Sequence, residues 1–165
     1  MKQLNFGAGQ DIKEGFDNAD INPPSNLLFD FNKFPYPIED NTYDYVYSCH
    51  VLEHLKDPRR VLEELYRITK PKGIIEIRVP HLNSEGAFSV LGHISYFSEH
   101  TFEDLVNPIG KTNIANKKTD FKILELQSIP TWFGQIFFIP WIRRKVSLTL
   151  RGIYTEVIFK VEVVE

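Results

Sequence analysis

Three short apolar runs, Gln3 to Phe6, Phe16 to Ile21 and Asn26 to Phe31, open this chain, and the gaps between them limit its fold more than any other feature. Only six residues separate Gly9 from Phe16, and Pro23-Pro24-Ser25 bridges the next gap. A full crossover between parallel strands needs about a dozen residues. An α/β sheet built from these runs must therefore carry early helices trimmed to single turns.

Further along, apolar runs keep alternating with turn clusters, which is the pattern of an α/β domain. Tyr43 to Ser48 reads as a fourth strand. Asp57 is a good N-cap, Pro58 suits the first helical position, and Val61, Leu62, Leu65 and Ile68 form one apolar stripe. That helix should end at Pro71-Lys72-Gly73, with Gly73 to Val79 following as a central, buried fifth strand because of its isoleucines. A second helix is expected from Ser98 or Thr101 to Val106, then a polar loop from Lys111 to Lys118. Phe121 to Ile129 and Gly152 to Val164 complete the strands, the latter alternating Val157, Phe159, Val161 and Val163 with polar neighbours.

A chain of 165 residues with 42% hydrophobic content suits a single domain over residues 1–165. The net charge of -3 lacks the electrostatic footprint of a nucleic-acid binder, so no nucleic-acid partner is expected. One cysteine excludes a disulfide framework and a multi-cysteine zinc site, which points to a reducing cytoplasm. Met1-Lys2 runs straight into the first apolar run with no secretory pattern, and no apolar stretch reaches membrane-spanning length.

Between the first two runs lies Gly7-Ala8-Gly9, and the second run closes on Asp20. Glycines let backbone approach a ligand with no Cβ in the way, and an acid at the next strand tip can accept hydrogen bonds from two ribose hydroxyls. That order suits a nucleotide-type cofactor. The third glycine of the dinucleotide fingerprint is missing, since position 12 is Ile12 and Gly15 comes too late, so a pyrophosphate is a poor candidate ligand.

Together with Asp30-Phe31-Asn32, Pro35, Tyr43-Asp44, Val51-Leu52-Glu53-His54-Leu55, Arg67 to Gly73 and Val79-Pro80-His81, these motifs resemble the class I S-adenosylmethionine-dependent methyltransferases, more narrowly the small type 11 group. The resemblance covers residues 3 to 81. It implies a Rossmann-like sheet of seven strands, six parallel and the last antiparallel, with S-adenosylmethionine as cofactor. By the same resemblance the first motif, Asn5, Phe6, Gly7, Ala8 and Gly9, lies against the cofactor, with Gly7 and Gly9 at its methionine end. Asp20 would hold the ribose, Ile21 would lie against the adenine, and Asp30, beside Phe31, would accept from the adenine amino group. Ser48, Cys49 and His50 would floor the methyl-transfer site. Two departures, Asn5 in place of the usual acid and no helix ahead of the first strand, point to weak cofactor affinity or a site completed by a partner subunit.

Methyl transfer needs few protein groups, because the sulfonium already makes the methyl electrophilic. A hydroxyl acceptor needs a base. All five histidines, His50, His54, His81, His93 and His100, follow the fourth and fifth strands, where open α/β sheets bind ligands. His50 and His81 are the leading candidates to line the acceptor pocket, with Glu53 or His54 as alternative bases; as structural residues, each could equally be a cap or a satisfied hydrogen-bonder. His50 and His54 at i and i+4, with His81, also fit a metal hydrolase, but such an enzyme would not need the glycine turn or the acids, so no metal is expected. From Trp132 to Lys145, aromatics crowd ahead of Arg143-Arg144-Lys145, which suits a membrane surface, a homodimer contact or a plain core edge. The expected function is methyl transfer to oxygen or nitrogen of a small-molecule or glycan-type acceptor, with a non-catalytic cofactor-binding module of the same fold as the rival.

Overall fold

In the first strand, β1 (Gln3–Phe6), Leu4 and Phe6 point one way and Gln3 and Asn5 the other, and this division between apolar and polar faces extends across the whole sheet. The computed structural model describes residues 1–106 and 119–164, so the polar loop expected from Lys111 to Lys118 lies outside the described residues. β2 (Asp17–Asp20), β3 (Leu27–Leu28), β4 (Tyr43–Cys49), β5 (Thr69–Pro80), β6 (Phe121–Pro130) and β7 (Tyr154–Val163) complete a seven-stranded sheet in the order β3-β2-β1-β4-β5-β7-β6. β7 runs antiparallel to both β5 and β6, and the other pairings are parallel. This is the Rossmann-like sheet that the resemblance implies.

The early connections are even shorter in structure than single helical turns. Between β1 and β2 the chain makes only hydrogen-bonded turns, Asp11 N to Ala8 O at 2.7 Å and Phe16 N to Lys13 O at 3.3 Å, and no described helix intervenes before β4. The first helix is α1 (Pro58–Ile68), capped by Asp57, whose carboxylate accepts from Arg60 N at 3.0 Å. Its stripe of Val61, Leu62, Leu65 and Ile68 is buried. α3 (Glu99–Val106) follows the short α2 (Gly86–Ser89) and stacks Phe102 on Phe159, ring centroids 4.5 Å apart.

The pairing register explains why one face is apolar. Leu4, Val46, Ile75 and Val161 align across four strands, as do Phe6, Ser48, Ile77 and Phe159, and all are fully buried. The opposite face carries the row Asn18, Asn5, Tyr47, Glu76, Lys160 and Glu125. The fifth strand is thus central but not buried as apolar on both faces. Its Glu76 accepts from Tyr45 Oη at 3.0 Å, pairs with Arg78 at 3.0 Å and with Lys160 at 3.1 Å. Burial pushes the Glu76 carboxyl up, but these donors together hold it below the usual carboxylate range.

The start of β5 also differs from the expected boundary. Thr69 already pairs with Tyr43, and the next pairing is Ile74 with Tyr45, so the residues between bulge out. Lys72 takes a φ of 64° within this bulge. Pro71-Lys72-Gly73 therefore bends a strand rather than separating a helix from one.

Candidate functional site

β1 ends in a turn that the fold leaves little choice about. Gly7 has a φ of +80°, and a Cβ placed there would lie 2.1 Å from Val51 Cγ2. Gly7 N and Ala8 N both donate to Ala19 O at 2.9 Å, lacing the turn onto β2. Gly9 is different in kind: its φ is +50°, and a Cβ there would meet nothing within 4 Å. The turn is closed toward the protein at Gly7 and open toward solvent at Gly9.

Asp20 joins the turn to the tip of β2. Its Oδ2 accepts from Gly9 N at 3.0 Å and its Oδ1 from Asn22 N at 3.1 Å. Each carboxylate oxygen has a second lone pair, so both can still accept from a ligand. Beside it Ile21 is 59% exposed, an open apolar surface of the kind a purine ring covers. These residues fit the ribose and adenine of an adenosine cofactor: an acid with free lone pairs, an adjacent apolar side chain and a glycine with open space above it.

The other residues expected at the cofactor occupy different environments. Asn5 is buried and donates to Asp11 O at 2.7 Å and Asn18 Oδ1 at 3.0 Å, holding the chain between β1 and β2 in place. Phe6 and Phe31 are both buried and stacked on each other with centroids 3.9 Å apart, so their rings belong to the core. Ala8 is buried in the turn. Asp30 accepts from Asn32 N at 2.9 Å and stands 3.8 Å from Lys33 Nζ. Ser48 is wholly buried on the core face with its hydroxyl unpartnered among the described residues, whereas Cys49 is half-buried on the polar face.

A cleft of about 430 Å³ opens beyond β4 and β5, lined by His50, Glu53, His54, Pro80, Ser84, Gly86, Val90, His93, Thr155 and Glu156. His50 ends β4 in the left-handed region, φ 56°, with Nδ1 3.3 Å from Glu53 Oε1 and Nε2 2.9 Å from Glu156 Oε1. The Cys49 side chain first, and the Glu53 and Glu156 carboxylates with it, outweigh burial and push the His50 imidazole up to about 11. His50 is therefore a cation near neutral pH. It lines the cleft and is suited to pairing with anions, not to taking a proton.

His81, expected beside it, is not among the residues that line this cleft. It is buried, and its Nδ1 accepts from Asn83 N at 2.9 Å, so the proton of the neutral ring is on Nε2. Burial holds its pKa down at about 4. The unfolded chain takes up a proton near pH 6.5 while the folded one does not, so this residue's contribution to stability is complete above that pH and is lost as pH falls toward 4. Between pH 7 and pH 5 the loss should be about 2 kcal/mol. Urea unfolding of His81→Asn, which keeps an acceptor near the Nδ1 position, should show a pH dependence smaller by that amount; equal slopes in both proteins would refute the assignment.

Glu53 and His54 come from the 3-10 turn Leu52–His54 that follows β4, so their place in the cleft is a product of local sequence. His93, on the irregular stretch after α2, and Glu156, near the start of β7, are brought to the cleft by the fold and not by local sequence. The signal for Glu156 is present in the polar alternation of β7, but only the pairing of Pro80 with Glu156 shows that it faces His50. His100 lies outside the cleft, on α3, paired with Glu103 at 2.9 Å. Asn83 is a further residue that positions the site. It is buried, accepts from Ile153 N at 2.8 Å, and donates to Ser147 O at 2.8 Å and Leu150 O at 2.6 Å, which ties the approach to β7 onto the end of β5.

The profile of the methyltransferase-domain family matches residues 3–116. The chain belongs to that family. That family is one of methyltransferase domains. An uncharacterised methyltransferase of Schizosaccharomyces pombe is 47% identical over 55 residues, a stretch that spans 33% of this chain and only 19% of that protein. Among solved structures, a chain of the Haloferax volcanii complex between the Trm112 methyltransferase activator and a methyltransferase has a TM-score of 0.62 at 17% identity, covering 99% of this chain and 83% of its own. A SAM-dependent methyltransferase from Archaeoglobus fulgidus has a TM-score of 0.64 at 17% identity, over 98% and 85%. The [4+2]-cyclase SpnF has a TM-score of 0.65 at 13% identity, over 99% and 75%. These structures share the fold of the methyltransferase domain.

Proposed function

We propose that this methyltransferase domain moves a methyl group from S-adenosylmethionine to an oxygen or nitrogen of a small-molecule or glycan-type acceptor seated in the histidine-lined cleft. The observation that carries the reading is Asp20 bound to Gly9 N at 3.0 Å, which sets a ribose acceptor beside an open glycine at the ends of β1 and β2. When bound, the cofactor supplies an electrophilic methyl on its sulfonium. Asp20 would accept from the ribose hydroxyls and Ile21 would lie against the adenine, while Asp30 stands near the same end. The protein's remaining task is alignment and proton removal. His50 is paired with two carboxylates and His81 is a buried neutral ring, so the cleft side chains left to engage an acceptor are Glu53, His54 and His93.

Calorimetric titration with S-adenosylmethionine and S-adenosylhomocysteine tests the first half of this reading, and an acceptor screen read by release of S-adenosylhomocysteine tests the second. Saturable binding followed by turnover is expected. Absence of binding to either ligand would overturn the reading, and binding without turnover on any acceptor class would leave the non-catalytic module.

The surface from Trp132 to Lys145 supports an acceptor drawn from a membrane. Trp132 and Phe138 are each 79% exposed on or beside α4 (Trp132–Gln135) and α5 (Pro140–Val146), with Lys145 Nζ 5.4 Å from the Trp141 ring. Exposed aromatics beside cations bind the interface of an anionic bilayer. No described helix is long and apolar enough to cross a membrane. Flotation with phosphatidylserine-containing vesicles should recover the protein, and the double variant Trp132→Ser, Trp141→Ser should lose at least about tenfold in partitioning. Concentration-dependent dimerisation with no vesicle binding would assign the patch to a second copy instead.

A further inference from the structure

Three lone-pair donors converge in the cleft, and the hydrogen bonds behind them fix which atoms they present. His54 Nδ1 lies 3.2 Å from Gly92 O, and His93 Nδ1 lies 3.1 Å from Ala87 O. A carbonyl oxygen can only accept, so each Nδ1 carries the ring proton. Each neutral ring therefore presents a bare Nε2. His93 Nε2 is 4.0 Å from Glu53 Oε1. One ligand atom from each of Glu53, His54 and His93 lies within 4.8 Å of the others.

Glu53 is the element that needs explaining. It is only 1% exposed, and neither carboxylate oxygen receives a hydrogen bond among the described residues. His50 stands 3.3 Å from Oε1 as an ion-pair partner, which leaves Oε2 without a donor. A buried carboxylate is costly unless its oxygens are satisfied, and the bare Nε2 of His93, 4.0 Å from Oε1, adds to that cost. A cation among the three groups would satisfy all of them at once.

We propose that Glu53, His54 and His93 bind a divalent first-row transition-metal ion. Two imidazoles and a carboxylate suit zinc and its neighbours, whereas magnesium and calcium prefer all-oxygen sets. The carbonyl partners on Nδ1 are the kind of outer contacts that orient metal-binding histidines. The two contributing segments are also laced together: Ile94 N and Ser95 N donate to the Glu53 carbonyl at 2.8 and 3.2 Å, which fixes His93 beside the turn that carries His54. Bonds of about 2.0–2.2 Å require the ligand atoms to close on one another by roughly an ångström, and the exposed His54 side chain has the freedom to do so. Three protein ligands leave a coordination position open, as in catalytic and not structural zinc sites. That position would take an acceptor oxygen or nitrogen; this last step rests on the cleft being the acceptor site. A protonated His93 is the rival explanation for the convergence.

The full chain, stripped with EDTA, would be titrated with Co²⁺ by visible absorption and with Zn²⁺ by calorimetry, and S-adenosylmethionine affinity would be measured separately on the same samples. One equivalent of each metal should bind, with visible bands showing nitrogen coordination of Co²⁺. His54→Ala and His93→Ala should each weaken binding at least about tenfold, and His100→Ala on α3 should bind as the parent does. Because His54 is exposed, its variant should fold even if the His93 one does not. No saturable metal binding, or undiminished binding by His54→Ala, would overturn the proposal. Metal binding without cofactor binding would instead refute the methyltransferase reading and leave the metal site standing.

Discussion

Replacing Asp20 with alanine is expected to weaken S-adenosylmethionine binding by about a hundredfold or more while leaving the protein folded. A hydrogen bond to a charged group contributes about 1.5–3 kcal/mol, and two ribose hydroxyls donate to this carboxylate in the proposed complex. At about 1.4 kcal/mol per tenfold in affinity, the loss reaches roughly two orders of magnitude. The same substitution frees Gly9 N and Asn22 N, which Asp20 holds at 3.0 and 3.1 Å, so the turn also loses its preorganisation. Those contacts are solvent-exposed, and water replaces them in the unliganded protein at small cost. Asp20→Asn, which keeps one acceptor and introduces a donor facing Gly9 N, should fall between the two. Titration calorimetry on the three proteins decides the matter; an unchanged Kd in the alanine variant would remove Asp20 from the cofactor site.

The second large effect should fall on stability. In Gly7→Ala the new Cβ meets Val51 Cγ2 at 2.1 Å, Cγ1 at 3.0 Å and Cβ at 3.1 Å, in a turn whose φ of +80° disfavours any side chain. The left-handed backbone costs an L-residue about 1–2 kcal/mol, and overpacking typically adds about 1–3 kcal/mol. Urea unfolding should show a loss of about 3–4 kcal/mol, a large part of a typical domain's ~5–15 kcal/mol. Val51→Ala in the same chain removes the two γ carbons but not the backbone strain, so the double variant should recover part of the loss. Gly9→Ala provides the contrast, since its Cβ enters open space: stability should change by about 1 kcal/mol, with the larger effect on cofactor affinity. Equal losses of stability at the two glycines would refute the distinction between a packed turn and an open one.

These two variants probe parts of the molecule that differ in how far they could be read from residues alone. The glycine turn and Asp20 sit at neighbouring strand ends, so their meeting follows from strand order. The histidines are another matter. His50 and His81 come from similar positions after β4 and β5, yet one is a cation pushed up to about 11 and the other is neutral with its pKa held near 4. Cys49 and Glu53, which act most on His50, are its neighbours in the chain, but Glu156 reaches it from more than a hundred residues away, and His81 is held against Thr155, Tyr154 and Phe97, which only the fold brings to it. Phe31 and Phe6 show the same limit: adjacent to cofactor motifs in sequence, they stack on each other inside the core.

Local chemistry by itself determined the strand sequence, the capped helix after Asp57 and the glycine turn, because each rests on backbone preferences and side-chain spacing within a dozen or so residues, while the family came from a resemblance of ordered motifs over residues 3 to 81. Tertiary structure alone decided three things. Register divided the faces of β5, since the pleat repeats every two residues: Ile75, Ile77 and Val79 fall on the core side, and Glu76 and Arg78, with Ile74, on the other. The closing of β7 against β5 brought Glu156 to within 2.9 Å of His50. The ties from Ile94 N and Ser95 N to the Glu53 carbonyl brought His93 to Glu53 and His54, a contact between residues some forty positions apart that no local periodicity encodes.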